Sequence, residues 1–189
     1  RMIGNALEFR ESIDILRGQG PADSWNLCLE LGARMLLLAG EVRDVGDGRE
    51  LISAARSSGR ALRRFAEMIE TQGGDPHVVD RPDLLPTAPR TVEVLSPFSD
   101  ELAAFDAMSI ARAAHALGAG RDRSDDAVDP RVGIELLVEP GEVVAAGQPV
   151  ALLHVDSRGV DEARDRVLES MTAGPCQQPR ADRVLDWVE

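Results

Sequence analysis

Between Arg131 and Val155 the chain reads RVGIELLVEPGEVVAAGQPVALLHV, and here apolar alternation, turn chemistry and length agree on one kind of structure. Ile134, Leu136 and Val138 alternate with Glu135, Leu137 and Glu139, the period of a strand with one buried face. Pro140-Gly141 then supplies a fixed φ followed by a free one, the pair a tight turn needs. Val143-Val144 makes a second short run, Gly147 interrupts it, and Val150 to Val155 makes a third. Glycine at 141 and 147 lets the backbone reverse where a Cβ would clash, so each short strand is expected to fold back on its neighbour.

The spacing of Gly141, Val144 and Gly147 resembles the hairpin of biotinyl and lipoyl carrier domains, and SPFSDEL at 96–102 resembles their first strand. Such a carrier holds its prosthetic group on a lysine. All 21 basic residues here are arginine, so the chemistry of covalent attachment is excluded whatever the fold.

A chain of 189 residues can bury a substantial core, and its formal charge of −12 disfavours a phosphate backbone as partner. The densest arginines, Arg60, Arg63 and Arg64, share a predicted helix with Glu67 and Glu70, and aromatics at 3% leave little to stack on bases. No nucleic acid is expected. No apolar run reaches the ~20 residues needed to cross a bilayer, so no membrane is expected and the cytoplasm is the expected compartment. Cys28, amid leucines, and Cys176, in a proline-rich tail, suggest neither a disulfide framework nor a metal spacing. Arg1-Met2-Ile3-Gly4 begins in mid-pattern, which leads us to expect a piece of a longer chain.

Asn5 with Glu8 three residues on forms a capping box, and Ala6, Phe9, Ile13 and Leu16 share one face of the helix that follows, which stops at Gly18 and Gly20-Pro21. A second helix opens at Asp23 or Ser24 and runs to about Ala39. Its leucines and methionine go nearly all round, which predicts burial. After the loop GEVRDVGDG come amphipathic helices at 49–57 and 60–71, and Gly73-Gly74-Asp75-Pro76 ends the second. From Thr91 strands are predicted at 92–95 and 102–105, a helix at 109–117 ended by Gly118, and a last helix at 161–171; Val184, Leu185 and Trp187 form an apolar set able to dock on the body.

His77, His115 and His154 lie far apart, none beside a serine or cysteine in a nucleophile motif. Gly118-Ala119-Gly120-Arg121 looks like a phosphate cradle but ends a helix where a cradle would start one, so helix capping with an anchoring arginine is the better reading. Asp122, Asp125, Asp126 and Asp129 lack the spacing and terminal glutamate of a calcium loop and read as a solvated turn. No catalytic or substrate-binding residue is assigned within the chain.

Six strings in order, IGNALEFRESIDILRGQGPAD (3–23), LCLELGARML (27–36), FAEMIETQGGDP (65–76), LLP (84–86), LGAGRDRSDDAVDPRVGIELL (117–137) and GEVVAAGQPVALLH (141–154), together resemble the pyrimidine-nucleoside phosphorylase and thymidine phosphorylase family, C-terminal portion. The resemblance implies an α+β chain that is part of an α/β large domain. Residues 1–74 would be its helical part, 75–91 a Pro-rich connector, 92–172 a C-terminal β-rich module like a barrel-sandwich hairpin unit, and 173–189 a tail. It implies a transferase of nucleoside salvage: reversible phosphorolysis of a pyrimidine nucleoside to free base and (deoxy)ribose 1-phosphate, with phosphate as co-substrate and no cofactor required. The family's phosphate- and base-binding groups, lysines among them, would lie ahead of Arg1, and its usual homodimer contact would be missing here too. The alternative is a catalytically silent scaffold or split-enzyme subunit. Bacterial members resemble one another in a monovalent-cation (potassium) site, whose carbonyl and helical glutamate fall on Met2 and Glu11. Phe98-Ser99-Asp100 departs from the family's glycine turn, with Asp100 in the glycine position; aspartate tolerates the left-handed conformation, so the turn is expected to survive.

Overall fold

The computed structural model describes residues 1–121 and 123–177. Its elements run β1 (Met2–Ile3), α1 (Asn5–Arg17), α2 (Ala22–Leu38), α3 (Val45–Ser57), α4 (Arg60–Thr71), β2 (Arg90–Leu95), β3 (Asp100–Phe105), α5 (Ala107–Leu117), β4 (Gly133–Leu136), β5 (Val143–Val144), β6 (Pro149–Val155), α6 (Val160–Ser170) and β7 (Met171–Ala173). The fold is α+β. Two compact units divide the described residues: 1–9 and 86–177 make one, and Arg10–Leu85 form the other.

In the Pro86 unit, β1, β4, β6 and β2 lie in that order in one antiparallel sheet, and β5, β3 and β7 in a second. Consecutive strands therefore do not fold back on each other as the glycine corners suggest. β4 skips β5 to pair with β6, Ile134 opposite Leu153, while β5 pairs with β3, Asp100 opposite Val144. The corners themselves are where expected, with Gly141 at φ 88° and Gly147 at φ 83°. What the local pattern does not contain is the second sheet, which takes Val143-Val144 away from its sequence neighbours. The alternating residues Val94, Ile134, Leu153 and Val155 face α5 and α6, which contribute Ile110, Ala113, Leu117, Ala163 and Val167 to one core.

Met2 and Ile3, which the sequence reading places in the helical part, pair instead with Glu135 and Ile134 of β4. The capping box is also rearranged. Glu8 Oε1 accepts from Gly4 N at 2.9 Å, so the carboxylate half forms one residue earlier, while Asn5 Nδ2 donates to Ala119 O at 3.0 Å. Asn5 is thus a tether to the loop after α5, and Gly4, at φ 134°, occupies the cap. Asp100 is not left-handed: no non-glycine residue described has a positive φ. The turn before β3 is held by Ser96 Oγ, which donates to Phe98 O at 2.8 Å, and by Ser99 Oγ, which accepts from Ala146 N at 2.8 Å. Thr172 in β7 pairs with Ala104, so the tail assigned from 173 begins inside a strand.

In the Arg10–Leu85 unit, α3 starts four residues earlier than its periodicity indicates. Asp44 caps it by accepting from Asp47 N at 2.9 Å, and Gly46 and Gly48, which read as loop, lie in its first turns. Gly48 is required by packing: a Cβ there would stand 2.9 Å from Cα of the fully buried Ala33 in α2. Trp25 of α2 stacks under the Arg56 guanidinium of α3 at 3.5 Å. α2 itself is not buried all round. Leu31, Met35 and Leu38 are 47%, 69% and 87% exposed, because α3 covers one side only. The proline-rich stretch after α4 forms two 3-10 turns, Pro76–Val79 and Pro82–Leu84, tied to α1 by Arg17 Nη2 to Val79 O (2.5 Å) and Arg10 Nη2 to Pro82 O (2.8 Å). The apolar set Val184, Leu185 and Trp187, and Asp122, lie outside the described residues.

Candidate functional site

Glycine at 118 and an Asp-Pro-Arg string at 129–131 bound a polar loop in the Pro86 unit. Gly118, at φ 106°, ends α5 in the left-handed conformation, and its carbonyl accepts from Asp129 N at 2.9 Å, closing the intervening loop at its base. Within the loop Arg121 Nη1 donates to Ser124 O at 3.3 Å and Arg123 N to Asp126 Oδ2 at 2.9 Å. Ala6 N reaches Pro130 O at 3.0 Å, so the start of α1 holds the loop's far end. The loop is a capped, self-bonded turn with an anchoring arginine, as its position after a helix suggests.

Arg131 sits at its exit and makes a fork: Nε and Nη2 donate to Asp129 Oδ1 (2.9 Å) and Oδ2 (2.7 Å), and Nη2 also to Asp156 Oδ2 (2.9 Å) after β6. This clamp joins the ends of β4 and β6 and was not singled out from sequence; two unlike charges spaced i, i+2 ahead of a strand are its only trace there. The Arg131 hydrogen bonds hold the Asp129 carboxyl below the usual carboxylate range. A depressed folded-state value means stability that is complete above the unfolded value near 3.9 and lost as pH falls through the folded one. An Asp129→Asn variant is therefore expected to flatten the acid limb of the stability profile below about pH 4, read by thermal melts at stepped pH.

The three histidines remain apart. His77 Nδ1 lies 2.7 Å from Asp75 Oδ1 on an exposed turn, and His115 lies on α5 beneath Gly120, whose added Cβ would come within 3.1 Å of its Nδ1. His154 lies on β6 between Gly133 and Thr91, its Nε2 3.5 Å from Glu135 Oε2. It shares with Glu135, Leu152 and Glu93 the sheet face opposite the α5 and α6 core, a placement that strand alternation carries once the register is known. Among the described residues no group of three or more His, Cys, Asp and Glu side chains is placed to hold a metal ion.

Of the two cation candidates, Met2 lies in β1 of the Pro86 unit and Glu11 in α1, within the Arg10–Leu85 unit. Leu136 N donates to Arg1 O at 3.0 Å, which makes Met2 and Glu135 the non-bonded pair of the ladder and turns the Met2 carbonyl away from β4, off the sheet edge.

The match that decides the family covers the segment from β3 to β7. Residues 102–174 fit the sequence profile described as the pyrimidine nucleoside phosphorylase C-terminal domain. The C-terminal portion of this chain belongs to the pyrimidine-nucleoside phosphorylase family. Similarity extends well beyond that segment. The pyrimidine-nucleoside phosphorylase of Staphylococcus haemolyticus (strain JCSC1435) is 40% identical over 171 residues, 90% of this chain and 40% of the relative. That of Staphylococcus aureus (strain USA300) is 38% identical over 172 residues, 91% of this chain and 40% of the relative. The chain thus spans about two fifths of the length of these relatives. The matched residues 102–174 take in β4 and β6 of the first sheet, β5, β7 and most of β3 in the second, the α5–α6 pair and the Arg131 clamp.

Proposed function

We propose that this chain is the supporting portion of a pyrimidine-nucleoside phosphorylase, an enzyme that reversibly exchanges the base of a pyrimidine nucleoside for phosphate. A phosphate oxygen bonds to C1′ of the sugar as the C1′–N bond breaks, the electron pair leaving with the pyrimidine, which then takes a proton. Such a step needs cations or amides around phosphate and donors on the departing base. The single observation that carries the reading is 40% identity across 90% of the chain. That the reacting groups come from sequence outside these 189 residues is supported by their make-up. Lysine is absent, and in the loop from Gly118 to Arg131 the Arg121 and Arg131 guanidinia are bonded to Ser124 O, Asp129 and Asp156, and the Arg123, Asp126 and Asp129 amides to acceptors within the loop. The products would be a free base and a pentose 1-phosphate, as expected of a salvage reaction.

The family resemblance also brings a monovalent cation, potassium being the expected ion. The oxygens this chain would offer are the Met2 carbonyl and the Glu11 carboxylate, hard donors suited to such an ion.

The test joins these 189 residues to the three fifths of the S. haemolyticus relative that they do not match. We expect phosphate-dependent release of base from thymidine or uridine by the joined polypeptide and none by the 189 residues alone. Glu11→Gln should raise the potassium concentration needed for half-maximal rate. Phosphorolysis by the 189 residues alone would place the chemistry inside them. A folded but inactive joined polypeptide would favour the silent scaffold.

A further inference from the structure

α2 carries on its open side four side chains, Cys28, Leu31, Met35 and Leu38, spaced three, four and three residues apart. All four are exposed, Leu38 to 87%. That spacing is the seam of a helix that packs knobs-into-holes on another helix, and it runs along the axis for about 15 Å. Arg34, three residues after Leu31 and four before Leu38, flanks the seam without standing in it. Glu30, the carboxylate nearest the middle of the helix, is turned aside into a two-bond fork with Arg49 of α3, Nε to Oε1 and Nη2 to Oε2 at 2.5 and 2.8 Å. In a chain with 33 acidic and 21 basic residues, an apolar helical seam of this length that the described residues leave exposed is an attachment surface.

We propose that the seam seats an apolar helix from the part of a family polypeptide that these residues do not match. This deepens the functional reading above and rests on it. Two observations favour that occupant over a second copy of the chain. Four side chains a side fall well short of the roughly 800 Å² per partner that a stable association between separate molecules buries. Each copy also carries a net charge of −12. A segment tethered in the same polypeptide needs no such area, because its effective concentration is already high. The matched relatives have the length for it, three fifths of each lying outside the aligned stretch.

Cys28 is the reporter, since it stands in the seam. In a Cys176→Ser background its reaction with a neutral maleimide should be that of an open thiol in the 189-residue chain. In the joined polypeptide described above it should be at least tenfold slower. Leu31→Glu with Met35→Glu, or the milder Leu31→Ala with Met35→Ala, should return the fast rate in the joined polypeptide. The 189-residue chain bearing the same changes should keep its melting curve. Equal Cys28 rates in the two polypeptides overturn the proposal, and so does protection in the 189-residue chain that grows with its concentration, which would identify a second copy. If the joined polypeptide is insoluble, the relative's three fifths added as a separate chain takes its place, and the same rates decide. Base release judges the functional reading separately. Activity with an open Cys28 defeats the seam alone, and a protected Cys28 without activity defeats the phosphorolysis reading alone.

Discussion

Gly133→Ala is expected to lower the stability of the Pro86 unit by about 3 kcal/mol, towards the upper end for overpacking a filled site. A Cβ at 133 would stand 2.3 Å from the Ile3 carbonyl oxygen, 2.9 Å from Leu7 Cδ1 and 3.1 Å from Gly4 Cα. The first of these is a backbone atom bound into the β1–β4 ladder, so no rotamer change relieves it. β1 must move off β4, which exposes Ile134 and frees the start of α1. Hydrogen exchange should show the Leu136 amide, bonded to Arg1 O, losing protection first. Gly147→Ala is the control: φ is +83° there but nothing lies within 4 Å, so only the left-handed penalty of about 1–2 kcal/mol applies. Equal effects of the two substitutions would show that close approach is not what Gly133 provides.

Leu153→Ala should cost a similar amount, about 3 kcal/mol, by the opposite route. Leu153 is fully buried at the centre of β6, between Ile134 on β4 and Val92 on β2, under α5 and α6. Truncation removes its contacts and leaves a void that two paired strands cannot collapse around. Met35→Ala, which exchanges one exposed side chain for a smaller one on α2, should change the melting temperature little in the same protein. Denaturant midpoints for the three proteins check this; a Leu153→Ala variant as stable as Met35→Ala would remove β6 from the centre of the core.

Features written by neighbouring residues were legible in the sequence, and those set by distant ones were not. α4 begins and ends where its apolar stripe and flanking glycines place it, and α5 ends at Gly118 because only a glycine takes φ 106° cheaply there. The start of α3 was hidden, since Gly46 and Gly48 look like loop residues until Ala33 of α2 is seen against them. The exposure of α2 was hidden for a similar reason: periodicity reports how many faces are apolar, not how many have neighbours. Strand pairing failed where the partner lay in another sheet, as for Val143-Val144. As for the site, the self-bonded turn after α5 could be read from its place behind a helix. The Arg131 fork could not, because Asp156 joins it only through the β4–β6 register.

The β1–β4 ladder joins Met2 to Glu135, residues more than 130 positions apart, with the whole Arg10–Leu85 unit threaded between them. During synthesis the first strand therefore waits, unpaired, until the chain has emerged past Leu136. Closure of this sheet is a late event with a large loop-entropy barrier. A cut at the Leu85/Pro86 division, which looks like a clean boundary along the sequence, would strand β1 on the wrong fragment and leave β4 with a bare edge open to pairing with other chains.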